Sequence, residues 1–155
     1  MTRHMTRHLL CILLLGVPCL GCGKEGPELA RVRGKVTYRG EPLVGARVVF
    51  SPIDSQLAAS GVTDVEGEYE LTTREPGDGA LVGEHRVMII ARGPDRVVPP
   101  PGLNVSTAEL ANLPGLPREL GKPLIPKKYL DFSTSGLSET VSSGSNVIDF
   151  DIPAE

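Results

Sequence analysis

The chain has 155 residues, with 16 basic and 19 acidic side chains, three cysteines, three histidines and no tryptophan. This length favours a single domain. The formal net charge of -3 argues against a nucleic-acid partner, because phosphates require a basic surface.

The N-terminal residues have the composition of a secretory signal. Arg3 and Arg7 precede an apolar run over residues 9–17, which gives way to small residues ending at Gly21-Cys22. A run of roughly 9 residues is well short of the ~20 that a membrane-spanning helix needs. We therefore predict a signal peptide over residues 1–21 and no transmembrane helix.

The end of this signal resembles a bacterial lipobox, in which a cysteine takes a diacylglyceryl group and becomes the mature N-terminus. The residues are Leu20-Gly21-Cys22, followed by Gly23. Cys19 stands where lipoboxes usually carry leucine, so simple secretion stays open as the alternative. Lipidation at Cys22 predicts an extracytoplasmic protein held on a membrane by acyl chains, at ~0.8 kcal/mol per buried methylene.

Cleavage before Cys22 would leave that residue as the only cysteine and His85 as the only histidine. Neither a disulfide nor a zinc site built from several Cys and His ligands is then predicted. We expect no metal and no cofactor.

Residues 22–30 are predicted to form a short tether, residues 31–152 one domain, and residues 153–155 a tail. Within the domain, apolar and polar residues alternate with period two, the pattern of strands buried on one face. The predicted strands cover residues 31–38, 46–50, 58–63, 68–73, 82–91, 137–142 and 146–152. The last two are predicted to form a hairpin around Ser143-Gly144-Ser145. Seven such strands without a long helix predict an all-β sandwich of two sheets.

The turn between two of these strands is rich in carboxylates. In TDVEGEYEL, residues 63–71, Gly67 does not sit where an EF-hand loop requires its glycine, and Glu68 and Glu70 would project in parallel from a strand. We predict a plain turn, in which Asp64 accepts backbone amides and Gly67 has a positive φ. Glu68 and Glu70 are then expected to pair across strands with cations, for which the candidates are Arg31, Arg33, Lys35 and Arg47.

Residues 93–122 form a connection far longer than the usual four to six residues, and they are rich in proline. We call this segment the insert. Ser106 followed by Glu109 and Leu110 fits a capping box and predicts a helix over residues 107–113. A long connection of this kind is functional or disordered, and both interpretations stay open. The candidate contact surface combines the insert with the nearby rim, and its residues are Leu103, Leu110, Leu116 and Tyr129.

Candidates for catalysis are few. His85 has no second histidine or activated cysteine as a partner, and Asp149 and Asp151 alternate with apolar residues as on a solvated strand face. The chain has no G-x-S-x-G nucleophile motif and no phosphate-binding glycine loop. We predict no enzymatic activity, with a small-molecule hydrolase that uses His85 as the weaker alternative.

Two segments together resemble a known family. The pattern V-x-G-x-V-x-x-x-G-x-P-L-x-G-A-x-V-x-F over residues 32–50, joined to T-D-x-x-G-x-Y over residues 63–69, is similar to the carboxypeptidase regulatory-like domain of the transthyretin-like superfamily. Residues 125–129, 135–137 and 146–152 resemble the C-terminal half of this domain in small bacterial surface lipoproteins.

The resemblance implies a seven-stranded Greek-key β-sandwich without catalytic activity. A catalytic transthyretin relative, hydroxyisourate hydrolase, uses a C-terminal Tyr-Arg-Gly-Ser that residues 151–155 do not match, so that activity is not carried over. We expect a lipid-anchored binding or structural module whose partner is an envelope protein or polysaccharide. Carbohydrate binding is the alternative function, although sugars prefer aromatic platforms and the chain has few aromatic residues.

Overall fold

The computed structural model describes residues 27–103, 105–112 and 114–154. The predicted signal peptide, the lipidation site at Cys22 and the first part of the tether lie outside the described residues. The strands, in chain order, are β1 Leu29–Tyr38, β2 Glu41–Pro42, β3 Arg47–Pro52, β4 Ala59–Val62, β5 Glu68–Glu70, β6 Ala80–Leu81, β7 Gly83–Ile90, β8 Arg96–Val97, β9 Arg118–Glu119, β10 Leu137–Val141, β11 Ser145–Val147 and β12 Phe150–Ile152. One α-helix, α1 Thr107–Asn112, and one 3-10 helix, Lys127–Leu130, complete the described elements.

The first sheet is built around β1. On one side β1 pairs in parallel with β11 and then with β12, and on the other side it pairs antiparallel with β6, β5 and β2. The period-two pattern buries Ala30, Val32 and Val36 and leaves the basic residues of the strand toward solvent. A single long strand therefore organises this layer.

The second sheet has the order β10-β7-β3-β4, and all its pairs are antiparallel. Its buried face carries Val48 and Phe50 from β3 and Val87 and Ile89 from β7. The apolar positions of the period-two pattern from which these strands were predicted are therefore the positions whose side chains are buried.

The buried faces of the two sheets share one hydrophobic core. The ring of Phe50 from the second sheet meets that of Phe150 from the first at 6.1 Å, and Tyr69 stacks on Phe150 at 6.4 Å. The core residues include Val32, Val36, Val48, Leu71, Val87, Ile89, Ile125, Val141 and Ile152. Each large apolar side chain that is fully buried contributes about 1.5–3 kcal/mol to folding. The all-β prediction is confirmed.

One predicted connection is wrong. β10 pairs with β7 in the second sheet, whereas β11 pairs with β1 in the first, so the chain around Gly144 crosses between sheets instead of forming a hairpin. A chain reversal is present at the predicted residues: Gly144 has φ +96°, and the Asn146 side chain bonds both the amide and the carbonyl of Ser142. Turn residues specify a reversal, but they do not specify which sheet the next strand joins.

The strand directions give the molecule two distinct ends. The backbone of Val82 donates to Glu28 at 3.0 Å, so the chain enters the domain where β7 begins. The insert starts where β7 finishes, and at ~3.3 Å per residue the strand separates these two points by roughly 25 Å. We call them the entry end and the insert end. The same strand directions bring the loops at residues 39–46 and 63–67 to the insert end.

Candidate functional site

The insert is closed at its base by backbone bonds. Gly93 donates to Lys122 at 2.9 Å, and Leu124 donates to Ala91 at 3.0 Å. A Cβ at Gly121 would lie 1.7 Å from the carbonyl oxygen of Gly93, so the close approach of these two segments of the chain requires glycine at position 121. The two ends of the insert therefore leave the sandwich side by side.

Within the insert, β8 and β9 form a short ladder that pairs Arg96 with Glu119 and Val97 with Arg118. This ladder was not predicted from the sequence, because two-residue strands show no alternation. The predicted helix is confirmed as α1. Glu109 accepts from the amide and hydroxyl of Ser106 at 3.0 and 2.7 Å, and these bonds hold the pKa of the Glu109 carboxyl below its usual range.

A groove with a volume of about 520 Å³ lies in the insert. Most of its lining side chains are apolar; the residues are Pro94, Asp95, Arg96, Val97, Pro99, Leu103, Val105 and Leu110. Asp95 is already engaged, since its carboxylate accepts the amide of Gly121 at 3.0 Å. The groove is therefore a mainly apolar recess with one cation on its wall.

The structure brings together two of the four predicted contact residues. Leu103 and Leu110 line the groove, whereas Leu116 is partly buried outside its lining. Tyr129 is a correction, because it is only 7% exposed and belongs to the core. The 3-10 helix packs against β7 and turns the Tyr129 ring inward, while the neighbouring Lys128 lies over the ring at 5.1 Å.

Exposed apolar side chains concentrate at the insert end. Of the ten large apolar side chains that are exposed in the described ranges, seven lie there: Val44, Val62, Val65, Leu103, Val105, Leu120 and Leu124. Apolar surface collected in one region, unlike scattered single residues, indicates an interaction site. The sequence signal for this collection is weak, since the residues come from segments that are far apart in the chain.

The acidic turn has the predicted structure. One Asp64 carboxylate oxygen accepts the amides of Glu66 at 3.0 Å and Glu68 at 2.8 Å, and Gly67 has φ +77°. Glu68 and Glu70 are exposed on either side of the buried Tyr69. In the portion of the chain that the structure describes, no group of three or more His, Cys, Asp or Glu side chains is arranged to hold a metal ion.

The β1–β5 register places Arg33 opposite Glu70 and Lys35 opposite Glu68, which is the arrangement expected for two of the four candidate cations. Arg31 lies opposite Ser145, and Arg47 lies opposite Val62 and Ile90, so neither faces the glutamates. Of the four candidates, only Arg33 and Lys35 therefore stand opposite the glutamates in the register, and ion pairing of their side chains stays a prediction.

His85 is 1% exposed on the inner face of β7, with its ring 5.7 Å from that of Phe50. Its Nδ1 lies 3.0 Å from the carbonyl oxygen of Gly83, and its buried Nε2 has no partner among the described residues. Burial lowers the pKa of the imidazole, although the bond to Gly83 opposes this. A general base must reach its substrate, so the hydrolase alternative draws no support from this enclosed ring.

Asp149 and Asp151 hold backbone and side-chain donors of β1. Asp149 accepts the amide of Lys35 at 2.7 Å, at the point where the parallel ladder passes from β11 to β12, and Asp151 accepts the hydroxyl of Thr37 at 2.7 Å. The predicted solvated face therefore contains two structural acceptors.

Within the described ranges, no helix has the length and apolar character needed to cross a membrane.

Comparisons with known proteins give no family. No family model matches the chain, and no curated protein matches it significantly. Among solved structures, the chain is similar to a 9R-lipoxygenase from Cyanothece PCC8801, with 14% identity and a TM-score of 0.38. The match covers 82% of this chain and 16% of the lipoxygenase chain, and a likeness this low carries no argument about fold or function.

Proposed function

We propose that the protein is a non-catalytic, lipid-anchored module of the cell envelope that presents its insert end to a partner. The observation that carries this proposal is the separation of the two ends: the chain enters the domain at one end, and the insert with its apolar groove leaves from the other. With the entry end anchored, the insert end would lie at the opposite end of the domain, away from the anchor.

Lipidation at Cys22 would hold the entry end close to a bilayer. The few residues between Cys22 and Glu28 span at most ~3.6 Å each when fully extended, or roughly 20 Å in all. The insert end, roughly 25 Å farther along β7, would then face away from the membrane. Apolar side chains at that end are available to a partner rather than to lipid.

The lining of the groove favours an envelope protein as this partner. Its apolar residues are prolines, valines and leucines, whereas sugars are usually bound on aromatic rings. A polysaccharide is therefore the alternative. The same proposal includes a transthyretin-like, seven-stranded Greek-key topology, which the sequence pattern over residues 32–50 and 63–69 supports and which a crystal structure of the chain would test.

Photo-crosslinking in intact cells tests the contact surface. A photoreactive amino acid at Leu103 or Leu110 should give a discrete adduct, and the same probe at Ile53, exposed at the entry end, should not. Aspartate at the neighbouring Val105 should reduce the adducts, because a charge opposes apolar contact. Equal adducts from both ends, or none from the groove, would contradict the proposal. Separately, Cys22→Ser should release the protein from the membrane fraction.

A further inference from the structure

The edge strand β10 is held by a ladder on one side. Among the described strands its partner is β7, in five register pairs from Leu137 opposite Val87 to Val141 opposite Gly83. His85 and Glu139 form the middle pair of this ladder. A change in the protonation or position of His85 would therefore act at the centre of the ladder that holds β10 on β7.

The buried ring of His85 is suited only to its neutral form. The bond to the Gly83 carbonyl requires a proton on Nδ1, because a carbonyl oxygen only accepts. Nε2 then carries a lone pair without a partner inside the core. A second proton would turn Nε2 into a charged donor beside Phe50 that makes no hydrogen bond in the closed arrangement, and burying such a charge is strongly unfavourable.

Three elements pack around His85, and they differ in the titratable groups that they bring to it. Glu139 of β10 belongs to the partly buried, inward positions of its strand and shares the face of His85. From the first sheet, Tyr69 lies within electrostatic range of Glu139, because burial together with the charges of Asp149 and Glu139 raises the pKa of its hydroxyl, whereas Asp149 itself is exposed and accepts the Lys35 amide. β3 contributes only Phe50 and Pro52 here, while Glu84 and Arg86 of β7 alternate onto the outer face. Glu139 is thus the carboxylate that could meet a protonated His85.

We propose that His85 is a proton-sensitive latch for β10: a second proton on the buried ring loosens the β7–β10 ladder, so that Nε2 reaches water or the Glu139 carboxylate. The closed state binds this proton less well than the open state. Closure is therefore fully favoured above the ordinary histidine pKa of about 6.5 and weakens as pH falls below it. The inference is independent of lipid anchoring and of any partner at the insert end.

Hydrogen exchange with mass spectrometry on the full-length chain tests the latch. After correction for the pH dependence of intrinsic exchange, the open population of β10 should rise between about pH 7.5 and pH 5.5, by up to about tenfold, which is the limit for one linked proton with an open-state pKa of about 6.5. Peptides from β1 and β3 should keep their protection. Loss of protection in all strands together, or no change in β10, would overturn the proposal from the unmodified protein alone.

Two variants assign the effect to one residue. His85→Gln keeps a polar side chain of similar reach but cannot titrate, so its β10 exchange should lose the pH response. The matched control is Glu84→Gln, which removes an exposed carboxylate next to His85 on the outer face of β7 and should leave the response intact. A response that persists in His85→Gln, or disappears in the control, contradicts the latch.

Discussion

Tyr69 links the two sides of β1, and removing its hydroxyl gives a sharp test of the structure. The side chain is 4% exposed, and its hydroxyl donates to the Ile148 carbonyl at 2.7 Å. Tyr69→Phe keeps the ring on Phe150 but leaves that carbonyl without this donor. We expect a loss of about 1–2 kcal/mol in the free energy of unfolding, the usual consequence of an unmet buried partner.

Urea unfolding measures this loss as a lower midpoint with an unchanged m-value. Alkaline pH provides a second measurement. The folded state raises the pKa of Tyr69 above its ordinary value of about 10, through burial and through the charges of Asp149 and Glu139. The stabilisation is thus complete below about pH 10 and declines above it, with a limiting slope of about 1.4 kcal/mol per pH unit.

Tyr69→Phe should lack this alkaline decline, whereas Tyr38→Phe, a change at a partly exposed ring, should retain it. A Tyr69→Phe protein within ~0.3 kcal/mol of the original at neutral pH, with the same alkaline profile, would show that the hydroxyl does not stabilise the fold, because unfolded-state effects alone are of that size.

Three further predictions concern β1 and its neighbours. Gly34→Ala should destabilise the protein by at least about 2 kcal/mol in urea unfolding, because its Cβ would lie 1.7 Å from the Ile148 carbonyl oxygen; an unchanged midpoint would contradict this contact. Arg39→Asn should relieve the strain of φ +58° at Arg39, because asparagine tolerates that conformation better, but it also removes the guanidinium that lies 5.0 Å from the Tyr38 ring. The melting temperature should therefore rise by the equivalent of less than ~1 kcal/mol, and a lower melting temperature would show that the contact with Tyr38 outweighs the strain. A double-mutant cycle on Arg33 and Glu70 should give a coupling below ~1 kcal/mol that weakens with salt, and zero coupling would remove the pair.

Much of the fold was accessible from the sequence because most strands bury one face. Val32 and Val36 in β1, or Val48 and Phe50 in β3, repeat at intervals of two, and burial follows that repeat. The acidic turn was equally accessible, since Asp64 and Gly67 act through local backbone geometry. These features depend on neighbours in the chain, which a sequence displays directly.

The errors arise where distant contacts decide. Nothing local determines whether the strand after Gly144 joins β10 or β1, because either choice buries the same alternate residues. Tyr129 follows two lysines and resembles surface sequence, but packing against β7 places it in the core. Asp149 alternates with apolar residues as a solvated side chain would, yet it accepts the Lys35 amide across a gap in the ladder.

For the candidate site, the sequence indicated the segment but not its shape. The proline content and the capping box marked the insert, and two of its leucines, Leu103 and Leu110, do line the groove. The β8–β9 ladder and the gathering of Val44, Val62 and Val65 at the same end required the tertiary structure.

The closed base of the insert makes this segment a suitable place for engineering. Since the Gly93 amide already meets the Lys122 carbonyl, replacing residues 94–121 by a tight turn would join β7 directly to the following segment and leave the layers beneath untouched. Foreign peptides of many lengths could be grafted on the same two stems. We therefore expect the insert to be replaceable while the two sheets stay folded.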